Sequence, residues 1–111
     1  ESTAAIEFKW AINVNLTPTE LKVEGNTIAK VKGGKFAGVK VDKDKKRVNP
    51  LFNLLKKFKE IESREKVNPT GDETVISFQA DKNTPFETMD LVMKTAAQAG
   101  YPNFRFVVLK K

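Results

Sequence analysis

The sequence contains neither cysteine nor histidine, and these two absences exclude several kinds of chemistry. Without cysteine the chain has no disulfide and no thiolate nucleophile, and without either residue it lacks the usual ligands of a zinc site. The absence of histidine also removes the general base of Ser-His-Asp and Cys-His catalytic groups. We therefore expect no enzymatic activity, no metal and no cofactor. A chain without cysteine also suits an oxidising compartment.

Long apolar runs are missing as well. The sequence has no run of about 18 apolar residues, so no segment is expected to cross a membrane as a helix. Its beginning does not combine a basic region with an apolar one, as a signal peptide would. We expect one soluble domain over residues 1–111, because this length fits a single core, and the domain can be a piece of a longer protein.

Negative charge is also in short supply. Aspartate and glutamate together number 14 against 20 lysine and arginine residues, so the net charge is +6. Such an excess favours an anionic partner, which can be a nucleic acid, an acidic lipid surface, a cell-wall polymer or an acidic protein.

Alternating residues predict strands in the first part of the chain. Residues 6–16 have apolar side chains on one face, from Ile6 to Leu16, and polar ones such as Asn13 and Asn15 on the other. A second short strand is expected before a turn at Gly25 and Asn26. The glycines and charges of residues 32–47 predict an insertion or flexible hairpin, with a possible short strand near its middle.

The segment after residue 48 has the pattern of an amphipathic helix. Asn49 is a suitable N-cap, and Pro50 is suitable as the first helical residue. One apolar stripe follows the i, i+3, i+4, i+7 rule and consists of Leu51, Leu54, Leu55, Phe58 and Ile61.

Basic residues occupy much of the remaining surface of this helix. They form a candidate face for an anionic partner that consists of Lys56, Lys57, Lys59 and Arg64. A simpler interpretation is that a helix needs a polar side and that lysine stems cover apolar surface well. We favour the simpler interpretation, because surface charge alone is weak evidence of a binding site.

The loop after the next predicted strand, residues 74–80, holds a second candidate site. Asp81, Lys82 and Asn83 are candidates for contact with a partner, since loops at the carboxyl end of parallel strands often bind. Catalysis by Asp81 would need a second group with a complementary role, and the spacing suggests none. We therefore expect a structural or interaction role. The next residues predict a helix cap, a capping box made by Thr84, Pro85 and Glu87.

The helix that follows has an expected apolar stripe made of Phe86, Met89, Val92, Met93, Ala96 and Ala97. Leu91 lies off this stripe, on the side that also carries Thr88, Thr95 and Gln98. The final strand has apolar residues on both faces, including Val107 and Leu109. These observations make a candidate dimer surface of Leu91, Val107 and Leu109, unless the strand is central and covered on both sides.

The order of elements predicts the architecture. It is strand, strand, helix, strand, helix, strand, and the last two strands should be parallel because a helix connects them. The economical arrangement is an α+β fold with two helices packed on one face of a mixed sheet of four to five strands. We expect four aromatic side chains to be buried together between the helices and the sheet: Trp10, Phe58, Phe86 and Phe106.

The stretch "VISFQADKNTPFETMDLVMKTAAQAGYPNFRFVVLKK" resembles the C-terminal half of the ExbD/TolR family of biopolymer-transport proteins. Its pairs Ala80-Asp81, Pro85-Phe86, Val92-Met93 and Ala99-Gly100 match the family pattern of strand, polar loop, helix and final strand. The first half matches in the order of its elements and departs in length, because residues 32–47 look like an insertion.

The resemblance implies a location and a role. Members are bacterial inner-membrane proteins with one transmembrane helix, whose aspartate serves ion flow through an ExbB/TolQ/MotA-like partner, and with a periplasmic domain of about this size. These 111 residues contain no such helix and would correspond to the periplasmic domain. That domain would dimerise and engage a TonB-like protein, a TolA-like protein or peptidoglycan, and so transmit the energy of the proton motive force.

A basic nucleic-acid-binding domain is the alternative function. Trp10, Phe104 and Phe106 could serve as stacking platforms for bases on a sheet. However, Trp10 belongs to the uniform apolar face of its strand, which is more often core. The lysines near residue 45 alternate with acids, which is typical of a solvated loop. We expect no nucleic-acid partner.

Overall fold

The computed structural model describes residues 11–65 and 74–109. It contains two helices, α1 (Asn49–Glu65) and α2 (Phe86–Gln98), in these ranges. The strands are β1 (Ala11–Leu16), β2 (Glu20–Val23), β3 (Asn26–Lys32), β4 (Lys35–Ala37), β5 (Val41–Asp42), β6 (Arg47–Val48), β7 (Val75–Asp81) and β8 (Phe104–Leu109). Neither helix in the described ranges is both long and apolar enough to span a bilayer.

Six strands form one mixed sheet in the order β4-β3-β2-β1-β7-β8. The pairs from β4 to β1 are antiparallel, whereas β1, β7 and β8 are parallel. The predicted α+β fold and the parallel pairing of the last two strands are therefore confirmed. The sheet is larger than the expected four to five strands, because β3 and β4 extend it beyond the first hairpin. Strands β5 and β6 form a separate ribbon.

The buried side of the sheet follows the alternation in the sequence. In β1, the alternate residues Ile12, Val14 and Leu16 are buried. Strand β7 repeats the pattern with Ile76, Phe78 and Ala80, which pair with the β1 set one for one. These residues form one core with the buried residues of both helices, which confirms that the two helices cover one face: Leu51, Leu55, Val92 and Ala96.

The stripe of α1 is buried over its first three turns and then ends. Leu51 and Leu55 are fully buried, and Leu54 and Phe58 pack against the core while remaining partly exposed. Ile61 is 42% exposed, so its predicted burial is wrong. The packing of α1 ends here because the neighbouring residues are also mostly exposed, from Ile61 to Arg64.

The end of α2 is fixed by a left-handed glycine and a buried tyrosine. The amides of Gly100 and Tyr101 donate to the carbonyl oxygens of Ala97 and Ala96, which is a Schellman motif. Gly100 has a φ of 107°, and a Cβ there would lie 3.1 Å from Lys59 Cε. Tyr101 is fully buried, and its hydroxyl donates to Glu62 Oε2 at 3.0 Å. The helix therefore stops where Gly100 predicts, and its end is tied to α1.

The expected aromatic cluster is wrong for two of its members. Phe86 is 70% exposed and Phe106 is 49% exposed. Phe58 is partly buried, and Trp10 lies outside the described residues. Phe86 is the first residue of α2 and points away from the sheet, whereas Phe106 lies on β8 at the end of the sheet, where coverage by the helices is incomplete.

Residues 32–47 cover the outer side of α2. The hydroxyl of Thr88 donates to the carbonyl oxygen of Gly34 at 2.6 Å, and the amide of Val48 donates to Thr95 Oγ1 at 2.9 Å. Gln98 Nε2 donates to the carbonyl oxygen of Lys45 at 2.6 Å. The segment predicted as an insertion or flexible hairpin thus forms β4 and the β5–β6 ribbon, and polar side chains of α2 bind its backbone.

Candidate interaction surfaces

The loop after β7 is organised by Asp81. Its Oδ2 accepts a hydrogen bond from the amide of Asn83 at 3.0 Å, and its carbonyl oxygen accepts one from the amide of Thr84 at 3.0 Å. An aspartate that binds the backbone two residues on makes an Asx turn. Lys82 and Asn83 are exposed, while Asp81 is half-buried. The three candidate contact residues therefore lie together at one turn, and the side chain of Asp81 stabilises that turn.

The predicted capping box of α2 is wrong. The N-cap is Pro85, with φ −60° and ψ 142°, and no side chain caps the helix. The carbonyl oxygen of Pro85 accepts from the amides of Thr88 and Met89. Thr84 lies one residue before the N-cap. Its amide, which a capping box would offer to the Glu87 side chain, already donates to the carbonyl oxygen of Asp81. Glu87 lies in the first turn of the helix, where a carboxylate still favours the positive end of the helix dipole.

A crevice of about 320 Å³ adjoins this loop. It lies where β1 and β7 end, and the chain leaves these neighbouring strands in opposite directions, β1 toward β2 and β7 through α2 to β8. Such divergence commonly leaves a binding crevice at the carboxyl ends of the strands. Leu16, Pro18, Val31 and Pro85 make most of the wall apolar, and among the described residues Asp81 is the one titratable residue that lines it.

The described lining of this crevice combines apolar walls with a single titratable group. General acid–base chemistry usually needs two groups in complementary roles, and the lining provides one. Within residues 11–65 and 74–109, no group of three or more acidic residues could hold a metal ion. The crevice could accept an apolar side chain with the polar turn residues Asp81 and Asn83 at its edge.

The candidate dimer surface divides into two different environments. Leu91 packs against the core beside the buried residues Thr88 and Thr95 and stays partly exposed, so it contributes less free apolar surface than predicted. Val107 is 39% exposed on the face of the sheet opposite the helices. The side chain of Leu109 lies outside the described part of the structure. Ala97, expected in the buried stripe, is exposed.

Strand β8 is the end strand of the sheet within the described ranges. Phe106 is paired in register with the buried Phe78, and the ring centroids are 5.6 Å apart. Phe104 and Phe106 stack on each other on this helix-facing side. Because Val107 is exposed on the opposite side, β8 presents apolar groups on both faces at an open edge, which is a feature of pairing surfaces.

The basic face of α1 also divides. Lys56, Lys57 and Arg64 are exposed. Lys59 differs, because its ammonium group lies 4.6 Å from the ring centroid of Tyr101 and its stem covers Gly100. Burial and the hydrogen bond to Glu62 raise the pKa of this tyrosine, so the ring under Lys59 stays neutral. Lys59 therefore has an intramolecular packing role.

The face of the sheet away from the helices is polar. Alternation alone assigns Asn13 and Asn15 to this face, and the register then adds Ser77 and Gln79 beside them. The Oδ1 atom of Asn15 is buried without a hydrogen-bond partner among the described atoms. Basic side chains surround this amide-rich centre, on the strands on either side: Lys22, Lys30, Lys32 and Arg105.

Comparison with known proteins gives one finding. A family model described as ExbD, Biopolymer transport protein ExbD/TolR, matches residues 3–111. Searches of curated proteins and of solved structures returned no match. The matched range covers nearly the whole chain, including the loop at Asp81, the crevice and strand β8.

Proposed function

Because the chain belongs to the ExbD/TolR family of biopolymer-transport proteins, we propose that it is the periplasmic interaction domain of an ion-driven motor subunit in the bacterial inner membrane. The family is membrane-associated and works with other components of a transport complex. The match over residues 3–111 is the observation that carries the proposal. The domain would help transmit the energy of the proton motive force to partners in the envelope, without enzymatic activity of its own.

Two classes of partner follow from this proposal. In the membrane, an ExbB/TolQ/MotA-like protein would engage the transmembrane helix of the full-length subunit. In the periplasm, a TonB-like protein, a TolA-like protein or peptidoglycan would engage the domain. The loop from Asp81 to Asn83, with the apolar crevice beside it, is the proposed contact for a protein partner. Lys56 and Lys57 provide positive charge for an anionic polymer, although exposed charges alone contribute little affinity.

We also propose that two copies pair through β8. Phe106 and Val107 lie on opposite faces of this end strand, so antiparallel pairing with a second β8 would bury apolar surface on both sides of a continuous sheet. A symmetric pair of this kind is the commonest form of homo-oligomer. Anchoring of two copies in one membrane would raise their effective concentration, so the interface can be weak in the isolated domain.

The nucleic-acid alternative is not favoured. Binding of bases on a sheet needs aromatic rings on the face away from the helices. Phe104 and Phe106 are in register with the buried residues Ile76 and Phe78 and therefore lie on the helix-facing side. The opposite face carries amides and lysines without an aromatic ring in the described strands.

Site-specific photocrosslinking of the full-length protein in its native membrane tests the motor role. A photoreactive residue at position 82, at the exposed turn, should form an adduct with an envelope component. That adduct should decrease or change when a protonophore collapses the proton motive force. The same residue at position 30, on the polar face of the sheet, is the matched control. Identical adducts with and without the protonophore would contradict the proposed energy transmission.

A further inference from the structure

A second concavity, the α2 groove, lies between the first turns of α2 and the segment that contains β4, β5 and β6. Its volume is about 440 Å³, which is within the range of about 300–1,000 Å³ typical of ligand pockets. Four apolar residues line it, contributed by both walls: Phe36, Val41, Phe86 and Leu91. The groove is separate from the crevice at Asp81, because the hydrogen bond from Thr88 to Gly34 lies between the two.

Phe86 is the distinctive apolar residue of this groove. It is 70% exposed at the first position of α2, whereas Phe36 and Leu91 pack partly against the core. An exposed aromatic ring beside partly buried apolar side chains can hold an apolar anchor from a partner, because fixed aromatic residues carry much of the energy of many interfaces.

The charges around the groove are unbalanced. Lys35, Lys43 and Lys46 line it on the strand side, and none of the three forms an ion pair with any residue in the described ranges. On the helix side, the carboxylate of Asp90 already forms an ion pair, because Lys94 Nζ lies 2.8 Å from both of its oxygens. Glu87 is the remaining carboxylate. An excess of positive charge therefore faces the apolar centre.

The strand-side wall is held in place by α2 itself. Gln98 Nε2 donates to the carbonyl oxygens of Lys45 and Lys46, and Gln98 Oε1 accepts from Arg47 Nε at 2.8 Å. Lys46 has a φ of 53°, a left-handed conformation that the tight turn of the ribbon requires. These bonds fix the backbone that carries Lys43 and Lys46. Binding of a ligand would therefore cost little conformational entropy for ordering this wall.

We propose that the α2 groove binds an acidic peptide segment of a partner protein, with apolar side chains against Phe86, Phe36 and Leu91. Carboxylates of the segment pair with Lys43 and Lys46. A concave site with an apolar centre fits separate side chains of a peptide, whereas a flat anionic membrane would contact protruding lysines without filling the centre. The inference goes beyond the motor role and does not depend on it, since it rests on this groove alone.

The probe for the test is a short labelled synthetic peptide in which glutamate alternates with leucine. Titrated into the isotopically labelled 111-residue chain, it should produce saturable amide shifts at Phe86, Leu91 and the ribbon turn. The double substitution Lys43→Glu/Lys46→Glu should weaken binding at least about tenfold, because it replaces attraction of the peptide's carboxylates by like-charge repulsion. Phe86→Ala should weaken it about fivefold or more through loss of the apolar anchor.

Matched controls separate this site from general electrostatic attraction. Lys56→Glu/Lys57→Glu makes the same change of charge on the exposed side of α1, and Ile61→Ala removes an exposed apolar group from the same helix. Both should leave binding within about twofold, as expected of sites outside an interface. A peptide with lysine in place of glutamate, and one with serine in place of leucine, should both bind at least about tenfold more weakly.

Three outcomes would overturn the proposal. One is equal weakening by the control substitutions, which would mean non-specific attraction. Another is equal binding of the lysine peptide. The third is binding of phosphatidylglycerol vesicles through Lys43 and Lys46 without binding of the glutamate–leucine peptide, which would assign the face to a membrane surface. None of these outcomes would decide the motor role, which the crosslinking experiment tests at a different site.

Discussion

The outer side of α2 and the outer edge of β8 have similar sequence features but differ in how far the rest of the structure covers them. Both carry an apolar residue away from the expected core, Leu91 on α2 and Val107 on β8. Leu91 is half-buried beside residues 32–47, and the described ranges place nothing over Val107, which is 39% exposed. The difference lies in the neighbouring polar residues. On α2, Thr88 and Thr95 bind the covering segment.

This comparison shows how to interpret threonine on the supposedly solvated side of a helix. A hydroxyl on a water-facing side needs no protein partner, but a buried one usually has one. Thr95 Oγ1 accepts from Val48 and also donates to the carbonyl oxygen of Leu91, so both of its roles are used. The side of α2 that looked free for a second copy is thus partly an intramolecular interface, and β8 is the surface that we propose for self-association.

The largest loss of stability is expected in β7, the strand that pairs with β8. Phe78→Ala should lower the free energy of unfolding by about 3–5 kcal/mol, because Phe78 is fully buried and its loss leaves a cavity. Its register partner Phe106 is 49% exposed, so Phe106→Ala should cost clearly less. Chemical denaturation of both variants measures the difference. Equal losses of free energy in the two variants would mean that β8 is as fully covered as α2.

The next effect tests the close approach of residues 32–47 to α2. Gly34 has a φ of 79°, and a Cβ there would lie 3.0 Å from Pro85 Cγ. Gly33 also has a positive φ, 58°, but its Cβ would meet no atom within 4 Å. Gly33→Ala should therefore cost about 1–2 kcal/mol for the left-handed conformation alone. Gly34→Ala should cost more in thermal or chemical unfolding, and identical costs would contradict the contact.

Thr95→Val should break the hydrogen bond that the Val48 amide of β6 donates to α2, with little change of shape. The amide of Val48 would then be buried without its partner, which costs about 1–3 kcal/mol. Thr19→Val, at an exposed turn, should stay within about 0.5 kcal/mol. Denaturant unfolding compares the two variants. A Thr95→Val protein of unchanged stability would mean that this side of α2 is not held by residues 32–47.

The smallest effect concerns the start of α2. Thr84→Ala should change the free energy of unfolding by less than about 0.5 kcal/mol, since its side chain makes no cap. Asp81→Ala should cost about 0.5–1.5 kcal/mol, because it removes the hydrogen bond to Asn83. Thermal unfolding distinguishes the two. A larger loss of stability for Thr84→Ala than for Asp81→Ala would mean that Thr84 does cap α2, as the sequence predicted.

Much of the fold could be predicted from local pattern. Alternation in residues 11–16 and 75–80 identified the buried side of β1 and β7, and the intervening helix predicted the parallel pairing of β7 and β8. Gly100 marked the end of α2 because a left-handed residue is needed there. These features depend on the nearest residues in sequence, so a single sequence contains them.

The rest depended on contacts that local pattern does not contain. Strands β5 and β6 have two residues each, too few to show a period. The bond from Thr88 to Gly34 joins positions 54 apart. The exposure of Phe86 and Phe106 was missed for the same reason, since apolar periodicity shows which face a residue takes but not how far neighbouring elements cover it. The crevice and the α2 groove both arise from such coverage.

Self-association tests most directly the claim that a second copy of the chain pairs through β8 and not through α2. Sedimentation equilibrium at rising concentration should show a weak reversible dimer. Val107→Lys should abolish it, because the charge would be buried at the pairing edge, whereas Ala97→Lys, on the exposed side of α2, should leave it unchanged. A chain that stays monomeric at millimolar concentration, or a dimer sensitive to Ala97→Lys and indifferent to Val107→Lys, would contradict the account.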